Sequence, residues 1–127
     1  MPVNGLGEYD DQNVFAKILR GELPARKVFE DAFALAFHDI APKAPVHVLV
    51  IPKGRYVSLA DFSARASDAE VAGFFRAVAT VAKRLQLERA GYRVLVNMGG
   101  NGGQEVAHLH AHLFGGRPLG PMLVSGQ

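Results

Sequence analysis

The chain has 127 residues and no cysteine, 49% of its residues are hydrophobic and 20% are charged, and its formal net charge is +2 at pH 7. This length and composition fit one domain with a hydrophobic core and exclude a globally disordered chain, and the lack of cysteine excludes disulfides, thiolate catalysis and cysteine-bound zinc. Scattered basic residues and a small net charge do not predict nucleic-acid binding, and no apolar run approaches the roughly 20 residues that span a membrane.

The first ten residues are glycine-rich and polar, so we expect a flexible N-terminus over residues 1–10 and a single domain over residues 11–127. The N-terminus has neither a basic cluster nor an apolar stretch, and we therefore expect no signal peptide and a cytoplasmic protein. Asn13 is predicted to cap a short helix, which Gly21 and Pro24 bring to an end.

Three strands and a long helix are predicted next. Residues 27–30 and 33–37 are predicted strands around a turn centred on Asp31, and residues 46–51 form a β-branched run between two prolines. Ser67 and Glu70 then form a capping-box pair, which predicts the start of an amphipathic helix. The apolar face of that helix comprises Val71, Phe74, Phe75, Val78, Val81 and Leu85.

The histidines follow a glycine-rich segment. Gly91 ends the helical region, residues 92–97 are predicted to form a strand, and residues 99–103 a turn in which glycine permits positive φ. Residues 105–114 alternate with a period of two, which predicts a strand with all three of its histidines on one face. With an irregular tail from about residue 115, the sum is an α+β fold in which an antiparallel sheet of about five strands carries two helices.

Three of the five histidines, His108, His110 and His112, fall within five residues, and two kinds of chemistry use such a cluster. A zinc site would need a further ligand, for which His47 or Glu105 is available. Nucleophilic catalysis at phosphorus would need one imidazole oriented through its other nitrogen, with donors nearby for the phosphate oxygens. The glycine-rich turn favours the second chemistry because its N–H groups form a nest for phosphate, and a structural histidine cluster is the third interpretation.

The run from His108 to Phe114 resembles the His-φ-His-φ-His-φ-φ signature of the histidine triad superfamily. The preceding segment, residues 102–107, is similar to the branch of histidine triad nucleotide-binding proteins, the Hint branch. The resemblance extends from about residue 11 to the end of the chain. The further matching segments are residues 13–18, 21–25, 36–42, 44–53 and 115–122, of which the last is most similar to bacterial members.

This resemblance implies a homodimer, with the sheet extended across it, that hydrolyses purine nucleoside 5′-phosphoramidates and acyl or aminoacyl adenylates through a covalent nucleotidyl-histidine. It implies neither a metal nor another cofactor. By motif position, His110 is the nucleophile, His112 binds the phosphate, and His108 and His47 fix tautomers. The implied substrate-binding residues are Asp39 at the ribose hydroxyls, Phe15, Ile18, Phe37 and Ile40 around the base, Asn97 and the backbone of Gly103, Gln104 and Glu105 at the phosphate, and Val106 beside them.

Glu105 departs from the animal hydrolases of this branch, which carry serine there. Its predicted strand phase turns its side chain away from His110, and a role as an acid for the leaving amine is the alternative. One competing function is a dinucleotide polyphosphate hydrolase of a sister branch, and another is a nucleotide-binding scaffold with incidental hydrolysis. The uridylyltransferase branch is disfavoured because it carries glutamine where this chain has His112.

Overall fold

A computed structural model of the chain describes residues 3–124, in which five antiparallel strands form one sheet in the order β1-β2-β3-β5-β4. The predicted α+β class and strand number are therefore confirmed. No helix in the described part of the chain is both long and apolar enough to cross a membrane. The elements are α1 (Val14–Leu19), β1 (Lys27–Glu30), β2 (Ala34–His38), β3 (Val46–Pro52), α2 (Leu59–Arg65), α3 (Asp68–Arg84), β4 (Arg93–Val96), α4 (Gly99–Gly102) and β5 (Ala111–Gly115).

Alternation along the central strands gives the sheet two different faces. One face carries small and branched residues such as Ala36 and Val48, and the buried side of α3 packs on it. The opposite face carries Leu49, which packs in a second apolar cluster with Phe15 of α1. His112 is the cross-strand partner of Leu49 and so projects from this second face.

The long helix α3 begins where the sequence predicts. Ser67 Oγ accepts from the backbone N–H of Glu70, and the carboxylate of Glu70 accepts from the backbone N–H of Ser67, both at 3.1 Å. Phe74 and Val81 are buried against the sheet as expected. The assignment of Phe75 to the same face is wrong, since its side chain is half-exposed. It lies one position after Phe74, which rotates it by about 100° around the helix axis.

The sequence predicted two helices, whereas residues 3–124 contain four. In α2, the Ser58 side chain caps the first turn by accepting from the N–H of Asp61, but Phe62 is its only buried residue. So short a segment with one buried side chain has no helical periodicity to detect. The predicted glycine turn is instead the single helical turn α4, which ends at Gly103 with a φ of 78°.

The predicted strand over residues 105–114 is wrong in its first half, because β5 begins only at Ala111. The ladder between β3 and β5 runs as far as the pair of Val50 and Ala111. Farther along β3, Pro52 has no N–H, and its carbonyl accepts from the side chain of His108 instead of from a strand backbone. His108 and His110 therefore lie in an irregular segment that leads into β5.

The described part of the N-terminus, residues 3–10, contacts the domain, although the sequence predicted a flexible segment over residues 1–10. The carbonyl of Gly5 is buried and accepts from Ser58 Oγ at 2.6 Å, and the Tyr9 hydroxyl reaches His108. Residues 116–124, the described part of the predicted irregular tail, contain neither helix nor strand. Residues 1–2 and 125–127 of these two predicted segments lie outside the described residues.

Candidate active site

His110 is held through one ring nitrogen, and its other ring nitrogen has no hydrogen-bond partner among residues 3–124. Its ring is buried, and its Nδ1 lies 2.8 Å from the carbonyl oxygen of His108. A carbonyl oxygen can only accept, so Nδ1 carries the proton and Nε2 of the neutral ring keeps its lone pair. The Phe15 ring packs edge-on against the imidazole, with the centroids 5.0 Å apart. The ring therefore has a fixed orientation and tautomer, as a nucleophile requires.

His112 is held in the opposite tautomer through His47. The backbone N–H of Lys43 donates to Nδ1 of His47 at 3.2 Å, so a neutral His47 carries its proton on Nε2. This Nε2 lies 2.9 Å from Nδ1 of His112 and 3.4 Å from Oδ2 of Asp39. Donation to Nδ1 of His112 leaves the proton of His112 on Nε2. His110 thus offers a lone pair and His112 an N–H, on rings whose centroids are 5.0 Å apart.

Burial keeps these rings uncharged at neutral pH. The pKa of both His108 and His112 is lowered to about 4, mainly by burial, and at His112 the neighbouring rings of His110 and His47 contribute to this lowering. Burial also lowers the pKa of His47 and of His110. At His110 the hydrogen bond to the His108 carbonyl and the negative charge of Glu105 oppose the effect of burial on the pKa. Neutral imidazoles are required for the tautomers described above.

Asp39, His47 and His112 also place three possible metal-ligand atoms within 4.8 Å of one another. The hydrogen bonds do not favour a metal there. A metal on Nε2 of His47 would require the proton on Nδ1, where it would face the backbone N–H of Lys43. Two N–H groups would then face each other in a buried site. These three side chains therefore fit a proton relay better than a metal centre.

The backbone groups expected to bind phosphate are only partly available. The N–H of Gly103 donates to the carbonyl of Gly100 and that of Gln104 to the carbonyl of Gly99, both at 3.1 Å. For the N–H groups of Glu105 and Val106, no acceptor is found within residues 3–124. Any backbone nest for phosphate is therefore limited to Glu105, the last of the positions that the resemblance implies, and to Val106 immediately after it.

Gln104 contributes a side chain where only its backbone was expected. The side chain is buried, its Oε1 accepts from the N–H of Gly99 at 3.0 Å, and its Nε2 donates to the carbonyls of Val57 and Val106 at 2.7 and 3.0 Å. These three bonds fasten the helical turn α4 and the following loop to the segment before α2. Burial of a glutamine beside a glycine-rich segment cannot be inferred from hydrophobic patterning.

Glu105 lies at the exposed edge of the site. It precedes β5 and belongs to no strand, so the phase argument that turned its side chain away from His110 does not apply. Its negative charge partly offsets the lowering of the His110 pKa by burial. A role beside the leaving group is therefore compatible with its position.

The residues expected around the base occupy two different environments. Phe15 and Phe37 are buried and pack edge-to-face at 5.6 Å, and Ile18 is half-buried against the same cluster. Ile40 is 101% exposed, so it touches none of them in the described chain. Asn97 is half-buried immediately after β4, and Val106 packs against the second apolar cluster.

Two aromatic neighbours of the histidines were not predicted. Phe114 stacks on His112 with the ring planes 2° apart and lies 4.2 Å from His47 between centroids. Because Phe114 follows His112 by two positions, the predicted alternation already placed it in the phase of the histidines, although it was not named as a site residue. Tyr9 reaches His108 from a segment without any periodic pattern, so only the three-dimensional structure reveals that contact.

Comparison with known proteins gives consistent matches over most of the chain. The sequence model of a family described as the HIT domain matches residues 20–119. A HIT-like protein of Azospirillum brasilense is 60% identical over 118 residues, which cover 93% of this chain and 97% of that protein. The purine nucleoside phosphoramidase of Escherichia coli (strain K12) is 42% identical over 113 residues, or 89% and 94% of the two chains. A solved histidine triad protein from Clostridium difficile shares 39% identity with a TM-score of 0.80, covering 91% of this chain and 100% of that one.

Proposed function

Because the chain belongs to the HIT domain family and is a hydrolase that acts on nucleotides, we propose that its substrates are purine nucleoside 5′-phosphoramidates and acyl or aminoacyl adenylates. One observation carries the proposal: the free lone pair of His110 Nε2 stands beside an N–H at His112 Nε2. A nucleophile next to a donor is the pair that displacement at a phosphate requires. The 42% identity to a purine nucleoside phosphoramidase supports the P–N bond as the bond that is cleaved.

In the proposed first step, Nε2 of His110 forms a bond to the α-phosphorus while the P–N bond breaks. The amine leaves with the electron pair and takes a proton from solvent. The N–H of His112 donates to a non-bridging oxygen of the phosphate. The His110 ring becomes cationic as the new bond forms, so its Nδ1–H bond to the His108 carbonyl becomes charge-assisted and stronger. That gain occurs mainly in the transition state and therefore lowers the barrier.

In the second step, water attacks the phosphorus and gives up a proton to solvent while the bond to His110 breaks, which returns the lone pair to Nε2 and releases the nucleoside monophosphate. Asp39 is proposed to bind the ribose hydroxyls, since one carboxylate oxygen is held by the N–H of Ala41 at 2.8 Å and can accept from a diol as well. Phe15, Ile18, Phe37 and Ile40 are proposed to contact the base. Asn97 and the free N–H groups of Glu105 and Val106 are proposed to bind the phosphate.

Substrate ranking tests this proposal. With a chelator present, we expect kcat/KM for tryptamine adenosine 5′-phosphoramidate to exceed that for diadenosine polyphosphates by about 100-fold, or about 2.7 kcal/mol of transition-state stabilisation. Chromatographic detection of released AMP measures both reactions. Preference for the polyphosphate would favour the sister-branch hydrolase, and AMP binding without turnover would favour a scaffold. Strict dependence on added zinc would exclude the metal-free mechanism.

We also propose a homodimer in which the sheet continues across the edge strand β4. The proposal is supported by exposed apolar side chains on and beside this edge, Val94 and Tyr92, which a partner strand would cover. Sedimentation analysis at micromolar concentration is expected to give twice the mass of the chain. Val94→Lys, which places a charge at the proposed contact, is expected to shift the species toward the monomer. A wild-type monomer would contradict the proposal.

A further inference from the structure

Tyr9 makes a short contact with the first histidine of the triad. Its hydroxyl oxygen lies 2.6 Å from Nδ1 of His108, a residue 99 positions away in the chain and fully buried. The two rings meet edge-on with centroids 5.5 Å apart. The Arg55 guanidinium lies 5.2 Å from the centroid of the Tyr9 ring and forms an ion pair with Asp11 at 2.9 Å. Tyr9 is thus fixed by packing as well as by its hydrogen bond.

The direction of this hydrogen bond follows from the other nitrogen of His108. Nε2 lies 2.9 Å from the carbonyl oxygen of Pro52, which can only accept, so Nε2 carries the proton. Nδ1 of the neutral ring is then an acceptor, and the Tyr9 hydroxyl must donate to it. Burial raises the pKa of the Tyr9 phenol and lowers that of the His108 ring, so both groups are neutral near pH 7.

His108 in turn supplies the carbonyl that orients His110. Residues 104–110 belong to neither a helix nor a strand, so no regular ladder sets the direction of this carbonyl. Gln104 fastens the start of this stretch. The part around His108 is anchored by the bonds at both nitrogens of His108 and by the bond from the N–H of Leu109 to the carbonyl of Tyr56 at 2.8 Å. A ring held at both nitrogens fixes its own backbone, and with it the acceptor for Nδ1–H of His110.

We propose that Tyr9 is a positioning residue for the nucleophile: its hydroxyl holds the ring of His108, and His108 holds His110 in the tautomer and orientation that attack requires. The inference rests on the proposed function for its catalytic consequence, but the Tyr9–His108 bond is independent of any substrate. It also gives the segment before α1 a place in the active site. Tyr9 itself touches neither the phosphate nor the reacting atoms.

Tyr9→Phe tests the proposal, because phenylalanine keeps the ring and removes only the hydroxyl. The matched control is Tyr56→Phe, which removes a hydroxyl that donates to Glu70 at 2.7 Å and keeps the backbone carbonyl that accepts from Leu109. We expect Tyr9→Phe to slow single-turnover adenylylation of the protein by about tenfold, from loss of one hydrogen bond in the supporting chain, with KM within about twofold of wild type. Tyr56→Phe should keep the wild-type rate. Equal rates in the two variants would overturn the positioning role.

Nitrogen-15 spectra of the imidazole rings supply a second readout in the free protein. In Tyr9→Phe, the Nδ1 resonance of His108 should move toward the value of an unbonded imine nitrogen, whereas in Tyr56→Phe it should stay at the wild-type position. An unchanged resonance in Tyr9→Phe would show that the bond is absent and would overturn the inference. If wild type hydrolyses no phosphoramidate but the resonance moves as expected, the proposed function fails while the Tyr9–His108 bond stands.

Discussion

His110→Ala is expected to abolish formation of the covalent nucleotidyl-protein and to lower turnover of the phosphoramidate by about 1,000-fold or more. The variant removes the lone pair at Nε2 of His110, the one imidazole lone pair of the triad and His47 that has no hydrogen-bond partner within residues 3–124. No neighbouring nitrogen replaces it, because His112 presents an N–H rather than a lone pair at the equivalent position. Mass spectrometry of the protein quenched during turnover measures the adduct, and AMP release measures the rate.

His38→Ala is the matched control for this experiment. His38 shares its strand phase with Ala34 and Ala36 in β2, so it projects from the face of the sheet opposite to His47 and His112. Its removal should leave both adduct and rate close to wild type. A nucleotidyl adduct that persists in His110→Ala would identify a different nucleophile. A thermal melt of each variant excludes unfolding as the cause of lost activity.

Gln104→Ala is expected to lower the free energy of unfolding by about 3 kcal/mol, because three hydrogen bonds made by a buried side chain are lost at once. The stranded groups are the N–H of Gly99 and the carbonyls of Val57 and Val106. Gln104→Glu should be at least as damaging, since a carboxylate cannot donate to those two carbonyls and would repel them. Urea unfolding followed by circular dichroism measures the change as a shift in midpoint at constant m-value.

Gln12→Ala serves as the control for the stability measurement. Gln12 is exposed, and its side chain has no hydrogen bond within the described residues, so its removal should change stability by less than about 0.5 kcal/mol. A change in Gln104→Ala that is no larger than in Gln12→Ala would show that water or a rearranged backbone replaces the three bonds. The role of Gln104 in fastening the glycine turn would then be wrong.

Elements whose burial follows a single period were predictable from the sequence. The capping box of α3 and its buried positions, such as Phe74, were predicted, and β3 differed by only one residue at its end, Pro52. The failures occur where tertiary contacts override the local pattern. The alternation before β5 continues back to Glu105, but Pro52 ends the ladder because it lacks an N–H and gives its carbonyl to His108. The sequence of residues 105–110 gives no sign that the ladder ends there.

The residues of the site were easier to predict than the hydrogen bonds that hold them. Motif position singled out His110, and the structure supplies the lone pair at Nε2 that this role needs. The partners that set the tautomers are a backbone N–H at Lys43 and carbonyls at Pro52 and His108. Every residue but proline has a backbone N–H and every residue a carbonyl, so residue types carry no information about which of them are used. Only the folded arrangement of strands and loops selects them.

The two faces of the sheet have different consequences for how the protein can diverge. Substitutions on the sheet face that α3 covers, at positions such as Ala36 or Val48, change the packing of the core that stabilises the fold. These positions face away from the histidines. Substitutions in α1, at Phe15 or Ile18, alter the wall beside His110 while leaving the larger core intact. A randomised library confined to the α1 face should therefore yield many folded variants with altered substrate choice. A library that randomises the positions packed against α3 should mostly separate into folded and unfolded proteins, and the folded ones should share the substrate preference of the wild type.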